Sequence, residues 1–344
     1  MPSFLKLKQS FKEIIMRKLL LGTTAIAAAA TLSANAALAD VSIGGYYEWS
    51  YMSRGSDQAT KDGTSMGVES EIKFTFTNKT DSGLDIKMAV ELESDDTDTD
   101  INESSLSIGG GFGKIVLGGD DNAADNYAID VEDVVGEEIQ ATGVTTLSLT
   151  DTDLETTGDA NKITYHIPAM GGLTAGISYT DNGTDSTSGA QDSVEIGAKY
   201  VMTAGGASVT LAGATSNTEQ ISGTVDTESS NIGVSVTTGN ITAKIAQATY
   251  EAVNKDEEAN GVGVSFKVSD AMTVGVYTVK VEDATGTTDE EYSNTGGEVA
   301  YSIASGLTAY LNISDYDYKT GTGTGAGTTA DSGTATKLTI KATF

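Results

Sequence analysis

The sequence predicts an all-β protein, a sixteen-stranded antiparallel transmembrane β-barrel. Three observations carry that reading: an export-like start with no later apolar helix, sixteen segments of period-two alternation, and connections that are short and long by turns.

The start comes first. Arg17 and Lys18 precede an apolar stretch from Leu19 to Leu32, and two small-x-small sites follow at Ala34-Asn35-Ala36 and Ala37-Leu38-Ala39. This is the layout of a secretory signal peptide with cleavage expected after Ala39. The stretch is too short to span a bilayer as a helix, which needs ~20 residues. The expected division is therefore a signal peptide over 1–39 and a barrel over 40–344. Met16, just before the basic pair, leaves two possible translation starts.

Composition narrows the class. The chain has 344 residues, no cysteine, 40 Gly, 2 Pro and a net charge of −29. The first 39 residues hold five bases and one acid, so a chain starting at Asp40 carries 15 basic and 48 acidic residues, a net charge of −33. That excludes nucleic acid as a partner and favours a solvated surface or sites for divalent cations. Without disulfides, stability rests on hydrogen-bonded ladders and packing. An exported chain with no later membrane helix can satisfy its backbone in hydrocarbon only as a closed barrel.

Period-two alternation is clearest from Leu84 to Glu93, where Leu84, Ile86, Met88, Val90 and Leu92 alternate with Asp85, Lys87, Ala89, Glu91 and Glu93. One such segment fits any half-buried strand, and repetition decides the matter. The pattern begins at Val41–Tyr51 and Gly67–Thr77, and after Leu84–Glu93 continues through Asn102–Ile108, Phe112–Gly119, Asn161–Ile167, Leu173–Thr180 and Gln191–Val201. It returns at Ala207–Thr215, Thr227–Thr237, Ile241–Glu251, Ala259–Val268, Met272–Glu282, Asn294–Ile303, Leu307–Tyr316 and Ser332–Phe344. The count is even, as single-chain bacterial barrels require.

Connections after even-numbered segments are tight and those after odd-numbered ones long and acidic, which places both chain ends on the periplasmic side. Tyr51, Tyr179 and Tyr316 at one end, and Phe112, Tyr200, Phe266 and Phe344 at the other, are expected as interfacial girdles. Lys73, Lys87, Lys114, Lys162, Lys199, Lys244, Lys267, Lys337 and Lys341 fall in the lumen-facing register. A lysine facing mid-bilayer lipid would cost ~2 to 4 kcal/mol.

The terminal run Lys337-Leu338-Thr339-Ile340-Lys341-Ala342-Thr343-Phe344 alternates to a final Phe. Together with Asp40-Val41-Ser42-Ile43-Gly44-Gly45 and Phe112-Gly113-Lys114-Ile115-Val116-Leu117-Gly118-Gly119-Asp120, it resembles a Gram-negative general-diffusion porin of the alphaproteobacterial type. The resemblance implies a third loop, Asp120 to Ala160, folded inward as a constriction. Asp120, Asp121, Asp125, Asp130, Glu132 and Asp133 would line it, facing a lysine wall of Lys73, Lys87, Lys114 and Lys162. It also implies a homotrimer in the outer membrane, with the segment from Ser94 to Ile101 reaching a neighbour, contact with lipopolysaccharide and lipid, and passage of small polar solutes. An arginine cluster usual in enteric members is missing: the one arginine after residue 39 is Arg54, expected in the first external loop.

Other motifs carry less. Gly109-Gly110-Gly111-Phe112-Gly113-Lys114 has Ile115 where a phosphate loop needs Ser or Thr. Asp95-Asp96-Thr97-Asp98-Thr99-Asp100 starts like a calcium loop, but Ile101 and Ser107 stand where the Gly and the Glu belong. No cofactor is expected beyond loosely bound calcium, and the metal ligands stay unassigned. His166 is the sole histidine, so a hydrolase is disfavoured against a lumen histidine. The expected function is passive diffusion of small hydrophilic solutes and ions, weakly cation-selective and not enzymatic. The alternative is a calcium-dependent adhesin or a structural barrel with a closed lumen.

Overall fold

The computed structural model describes residues 40–58, 61–94, 99–139, 145, 147–181, 190–220, 226–283, 285, 290–319 and 330–344. The expected signal peptide at 1–39, most of the calcium-like run at 95–98 and the Gly-rich stretch at 321–327 lie outside the described residues.

The strands are β1 (Asp40–Ser56), β2 (Gly63–Lys79), β3 (Asp85–Ser94), β4 (Thr99–Gly110), β5 (Gly113–Gly119), β6 (Lys162–His166), β7 (Leu173–Thr180) and β8 (Ala190–Ala204). They continue as β9 (Ala207–Gln220), β10 (Thr227–Thr238), β11 (Ile241–Ala252), β12 (Lys255–Ser269), β13 (Met272–Asp283), β14 (Glu290–Ala304), β15 (Leu307–Lys319) and β16 (Asp331–Thr343). Each pairs antiparallel with its neighbours in sequence, and β1 pairs with β16 from Tyr46↔Thr343 to Ser56↔Gly333, closing the barrel. Closure leaves no edge strand, which removes both a site of fraying and a template for aggregation.

Alternation sorts the side chains. Ile232 and Val234 on β10, Ile245 on β11, Val262, Val264 and Phe266 on β12, Val276 on β13, and Leu311 and Ile313 on β15 are exposed on the outside. Their in-register neighbours Asn231, Ala246, Ala248, Tyr277, Val279 and Asn312 are buried inside. This inverts the logic of a soluble protein: the apolar belt faces lipid, and polar groups face the interior.

Several strands run past the sequence-expected limits. β1 continues to Ser56, so Arg54 stands on a strand, and β9 extends to Gln220. The ladder needs only backbone groups, so pairing continues where the apolar pattern has already ended. Tyr316 is a second correction. It was expected in the outer girdle, but on β15 the odd positions face out, and Tyr316 is 2% exposed on the inside with its hydroxyl turned to Asp331.

Because β16 supplies the closing ladder, deleting residues 331–344 exposes two long edges on β1 and β15. The truncated protein is expected to run as unfolded chain on unheated SDS gels, whereas the full barrel keeps its fast-migrating folded form until boiled.

Candidate functional site

The segment between β5 and β6, residues 120–161, is the candidate site, and its described residues include two short 3₁₀ turns, Asp125–Tyr127 and Glu132–Val134. A segment with so little regular structure must find partners for its peptide N–H groups elsewhere. It finds them on the inner wall. Ala123 N–H donates to Ser178 Oγ of β7 at 2.7 Å, and Ile129 N–H to Asn231 Oδ1 of β10 at 3.1 Å. Three buried wall glutamates accept further N–H groups: Glu195 of β8 from Thr157 N–H at 2.8 Å, Glu257 of β12 from Ser148 and Leu149, and Glu298 of β14 from Gly136 and Glu137, each at 2.8 Å. All five acceptors belong to the buried inward set. The third loop therefore lies inside the barrel.

Packing reinforces the hydrogen bonds. Ile129, Val131, Val134, Leu147 and Leu149 of the loop form one apolar cluster with Ala212, Ala246, Ala248, Ala259, Tyr277, Val279 and Tyr292 of the wall. Glycine makes room for it. A Cβ at Gly233 would sit 2.6 Å from Ile129 Cβ, and one at Gly263 would sit 2.3 Å from the carbonyl oxygen of Val131, so a bulkier residue at either position would push the loop away from the wall. Gly197, Gly261 and Gly275 are similarly blocked by loop atoms, which extends the groove over four strands. This signal was present in the sequence as Gly and Ala at inward positions of β8 to β13, and it marks the seat of the loop.

The six predicted loop acids divide into two sets. Asp120, Asp121 and Asp133 reach solution, Asp120 only in part. Asp125 turns into the loop, accepting from Asn122 Nδ2 at 2.5 Å and Thr156 Oγ1 at 3.1 Å. Asp130 accepts from Thr152 Oγ1 at 2.8 Å and from Glu132 N–H at 3.1 Å, and Glu132 itself is only 3% exposed.

Of the four predicted wall lysines, Lys73 pairs with Glu91 and Lys162 is buried beneath the loop, where its ammonium joins the carbonyls of Asp120 and Gly158. Lys87 and Lys114 are exposed near the periplasmic ends of β3 and β5, away from the loop. Four further lysines act as loop anchors, of which Lys255 of β12 donates to Ser148 Oγ at 2.7 Å. Lys244 bonds Asp133 at 2.6 Å and the Asp130 carbonyl at 2.9 Å. Lys337 and Lys341 meet Glu137 at 3.3 and 3.2 Å, and Lys341 also meets Glu48 at 3.2 Å.

None of the loop's hydrogen bonds given above reaches β2, β3 or β4. Facing the lumen on those strands stand Glu69, Glu71, Glu91, Glu93 and Glu103, with Lys73 and Lys87 as bases. The wall opposite the loop is thus itself acidic. His166 accepts or donates one bond to Tyr127 Oη, 2.9 Å from its Nδ1, and is covered by the loop.

Burial among like charges shifts the loop carboxyls. Burial, with Asp153 nearby, pushes Asp125 up to about 7, and burial beside Asp130 and Glu138 pushes Asp151 up to about 8. Asp153 rises to about 6, and Asp121 is raised by burial and by Asp120 and Asp159.

A model of the Gram-negative porin family matches residues 22–321. The chain belongs to the Gram-negative porins. A search of curated protein sequences finds no match. Among solved structures, the anion-selective porin from Comamonas acidovorans superposes with a TM-score of 0.65 at 16% identity, covering 89% of this chain and all of that one. The trimer form of in-vitro folded OmpT, an outer-membrane protein of Vibrio cholerae, gives 0.64 at 18% identity, with 90% and 100% covered. An engineered Rh. blastica porin gives 0.62 at 16%, with 89% and 100% covered. At these identities the likeness establishes the fold, and the family match establishes the class. The porin lies in the outer membrane and acts as a passive diffusion channel.

The raised loop carboxyls set a pH dependence. A carboxyl whose folded pKa is raised favours the folded state fully below its unfolded value, near 4, and that contribution is lost as pH rises through the folded value. For Asp153, Asp125 and Asp151, with folded values of about 6, 7 and 8, the window therefore opens near pH 4 and closes near pH 8. The unfolding temperature in detergent, followed by circular dichroism, is expected to fall as pH rises from about 4 to 8 and to level off above that.

Proposed function

We propose that this porin's passage runs between the third loop and the inner face of β2 to β4 and prefers cations. The charge on that face carries the reading: Glu69, Glu71, Glu93 and Glu103 stand there beside Lys87 and the Lys73–Glu91 pair, and Asp121 lies beside Glu103 at the loop's base. The lysines that could oppose them are engaged. Lys162, Lys244, Lys337 and Lys341 hold the loop, and Lys73 is paired. Ions moving within a Debye length of such a wall, ~8 Å at physiological salt, feel its sign. Rings of Asp and Glu favour cations. Anion selectivity in the Comamonas relative shows that the fold permits either sign, so the side chains decide it.

The test is the reversal potential across a potassium chloride gradient in a planar bilayer. Replacing Asp120 and Asp121 by Asn should move it towards anion permeability, and adding Glu103→Gln should move it further. An unchanged potential would mean that these carboxylates stand outside the ion path.

We also infer a homotrimer, with lipopolysaccharide and lipid around its free outer faces. Large apolar groups gather on the outside of β1, β2 and β16, including Val41, Ile43, Tyr47, Ile72 and Phe344. One solved relative is a trimer form. Cross-linking in mild detergent should yield a three-chain species, and a ladder that stops at one chain would refute it.

A further inference from the structure

The acidic half of the third loop contains a carboxyl, that of Glu132, which shares a hydrogen bond with Glu138 and leaves one oxygen unused. Glu132, on the second 3₁₀ turn, is 3% exposed, and its Oε2 is buried without a hydrogen-bond partner. A carboxylate oxygen left this way is costly, at least ~1 to 3 kcal/mol for a buried unsatisfied group and more when charged. Such a group needs a proton or a cation.

Its surroundings indicate which. One carboxylate oxygen from each of Asp130, Glu132 and Glu138 lies within 4.8 Å of the other two. Asp151 adds a fourth negative group within electrostatic reach of all three. Asp130 uses Oδ1 for Glu132 N–H and Thr152 Oγ1, which fixes the carboxylate while its second oxygen is not used by either bond. The nearest opposing charge is Lys244, which acts on Asp130 and is already shared with Asp133 and the Asp130 carbonyl. Four acids and one shared ammonium leave the pocket negative.

We propose that Asp130, Glu132, Glu138 and Asp151 form a binding site for one divalent cation, best suited to calcium, which braces the third loop. The ligand set is all oxygen, as a hard cation requires. Two oxygens on opposite sides of calcium lie about 4.6 to 5.2 Å apart, from bonds of 2.3 to 2.6 Å, whereas magnesium's shorter bonds and strict octahedron suit this irregular backbone poorly. The ion would join the second 3₁₀ turn to the chain at Glu138 and to the returning limb at Asp151, two stretches that have no ladder between them. Tyr277 of β13 is within electrostatic reach of Glu132 and Glu138. The site is separate from Glu103, Asp121 and Asp159, which cluster at the loop's base and remain solvated there.

Terbium tests this directly, because tyrosine sensitises its luminescence only at close range. The refolded, calcium-stripped barrel should show saturable tyrosine-excited terbium emission at one ion per chain, displaced by calcium and weakly by magnesium. Glu132→Gln should weaken terbium and calcium binding by at least ~10-fold, as loss of a central carboxylate ligand demands. Asp121→Asn should bind as the parent does. Calcium should raise the unfolding temperature of the parent and not of Glu132→Gln. Retention of the heat-modifiable gel band establishes folding of each variant, and Asp130→Asn serves as the ligand variant if Glu132→Gln does not fold. No sensitised emission from the parent, or equal binding by the parent and the ligand variant, would overturn the site and leave a shared proton as the neutralising group.

Discussion

An irregular loop can lie inside a barrel only if its peptide groups are paired there, and in this porin wall carboxylates do most of that pairing. Glu195, Glu257 and Glu298 each accept peptide N–H groups of the third loop and are almost fully buried in doing so. Hydrogen bonds to charged acceptors contribute ~1.5 to 3 kcal/mol each, and removing one partner strands the other in a dry site. The charges are not left alone: Lys255 lies 3.2 Å from Glu257, and Asn312 Nδ2 donates to Glu298 at 2.9 Å. The glycine groove lets the loop come close enough for these bonds to form.

The same anchoring decides what the open side of the lumen presents. Each lysine committed to the loop is one fewer facing the passage. Lys162 clamps the base, Lys244 the middle, and Lys337 and Lys341 the far end through Glu137. A register that places lysines in the lumen is forced by lipid on the other face, since exposure to mid-bilayer hydrocarbon is costly. Their partners are set by the fold. Positive charge thus serves structure, while on β2 to β4 only Glu91 is buried in an ion pair and Glu69, Glu71, Glu93 and Glu103 keep part of their surface in water.

The strands were legible because period-two alternation is a property of neighbouring residues. Leu84 to Glu93 shows it at sight, and the register between β2 and β3 follows from it. The placement of the third loop came from resemblance to a family and from its length, because nothing local in Asp120 to Ala160 says inward or outward. Glu195, Glu257 and Glu298 could not be picked out: each alternates like any lumen residue, and its role depends on a loop tens of residues away. Tyr316 was misplaced because an aromatic near a strand end suggests a girdle, yet parity alone sets its side. The division of the loop acids into solvated Asp120, Asp121 and Asp133 and enclosed Asp125, Asp130 and Glu132 depends on 3₁₀ turns that carry no periodic signal.

The chain has no cysteine, so a designed pair reports cleanly on where the loop sits. Ile129 Cβ lies 2.6 Å from the Cβ position of Gly233, closer than the ~3.8 Å that a disulfide spans, so the bridge forms with the loop moved away from the wall by about 1 Å. The decisive measurement is disulfide formation between Ile129→Cys and Gly233→Cys in the folded barrel, followed by single-channel conductance before and after reduction. A seated loop predicts a spontaneous bridge and the same conductance in both states. Absence of the bridge, or a conductance that changes widely on reduction, would contradict a third loop held against the wall of β10.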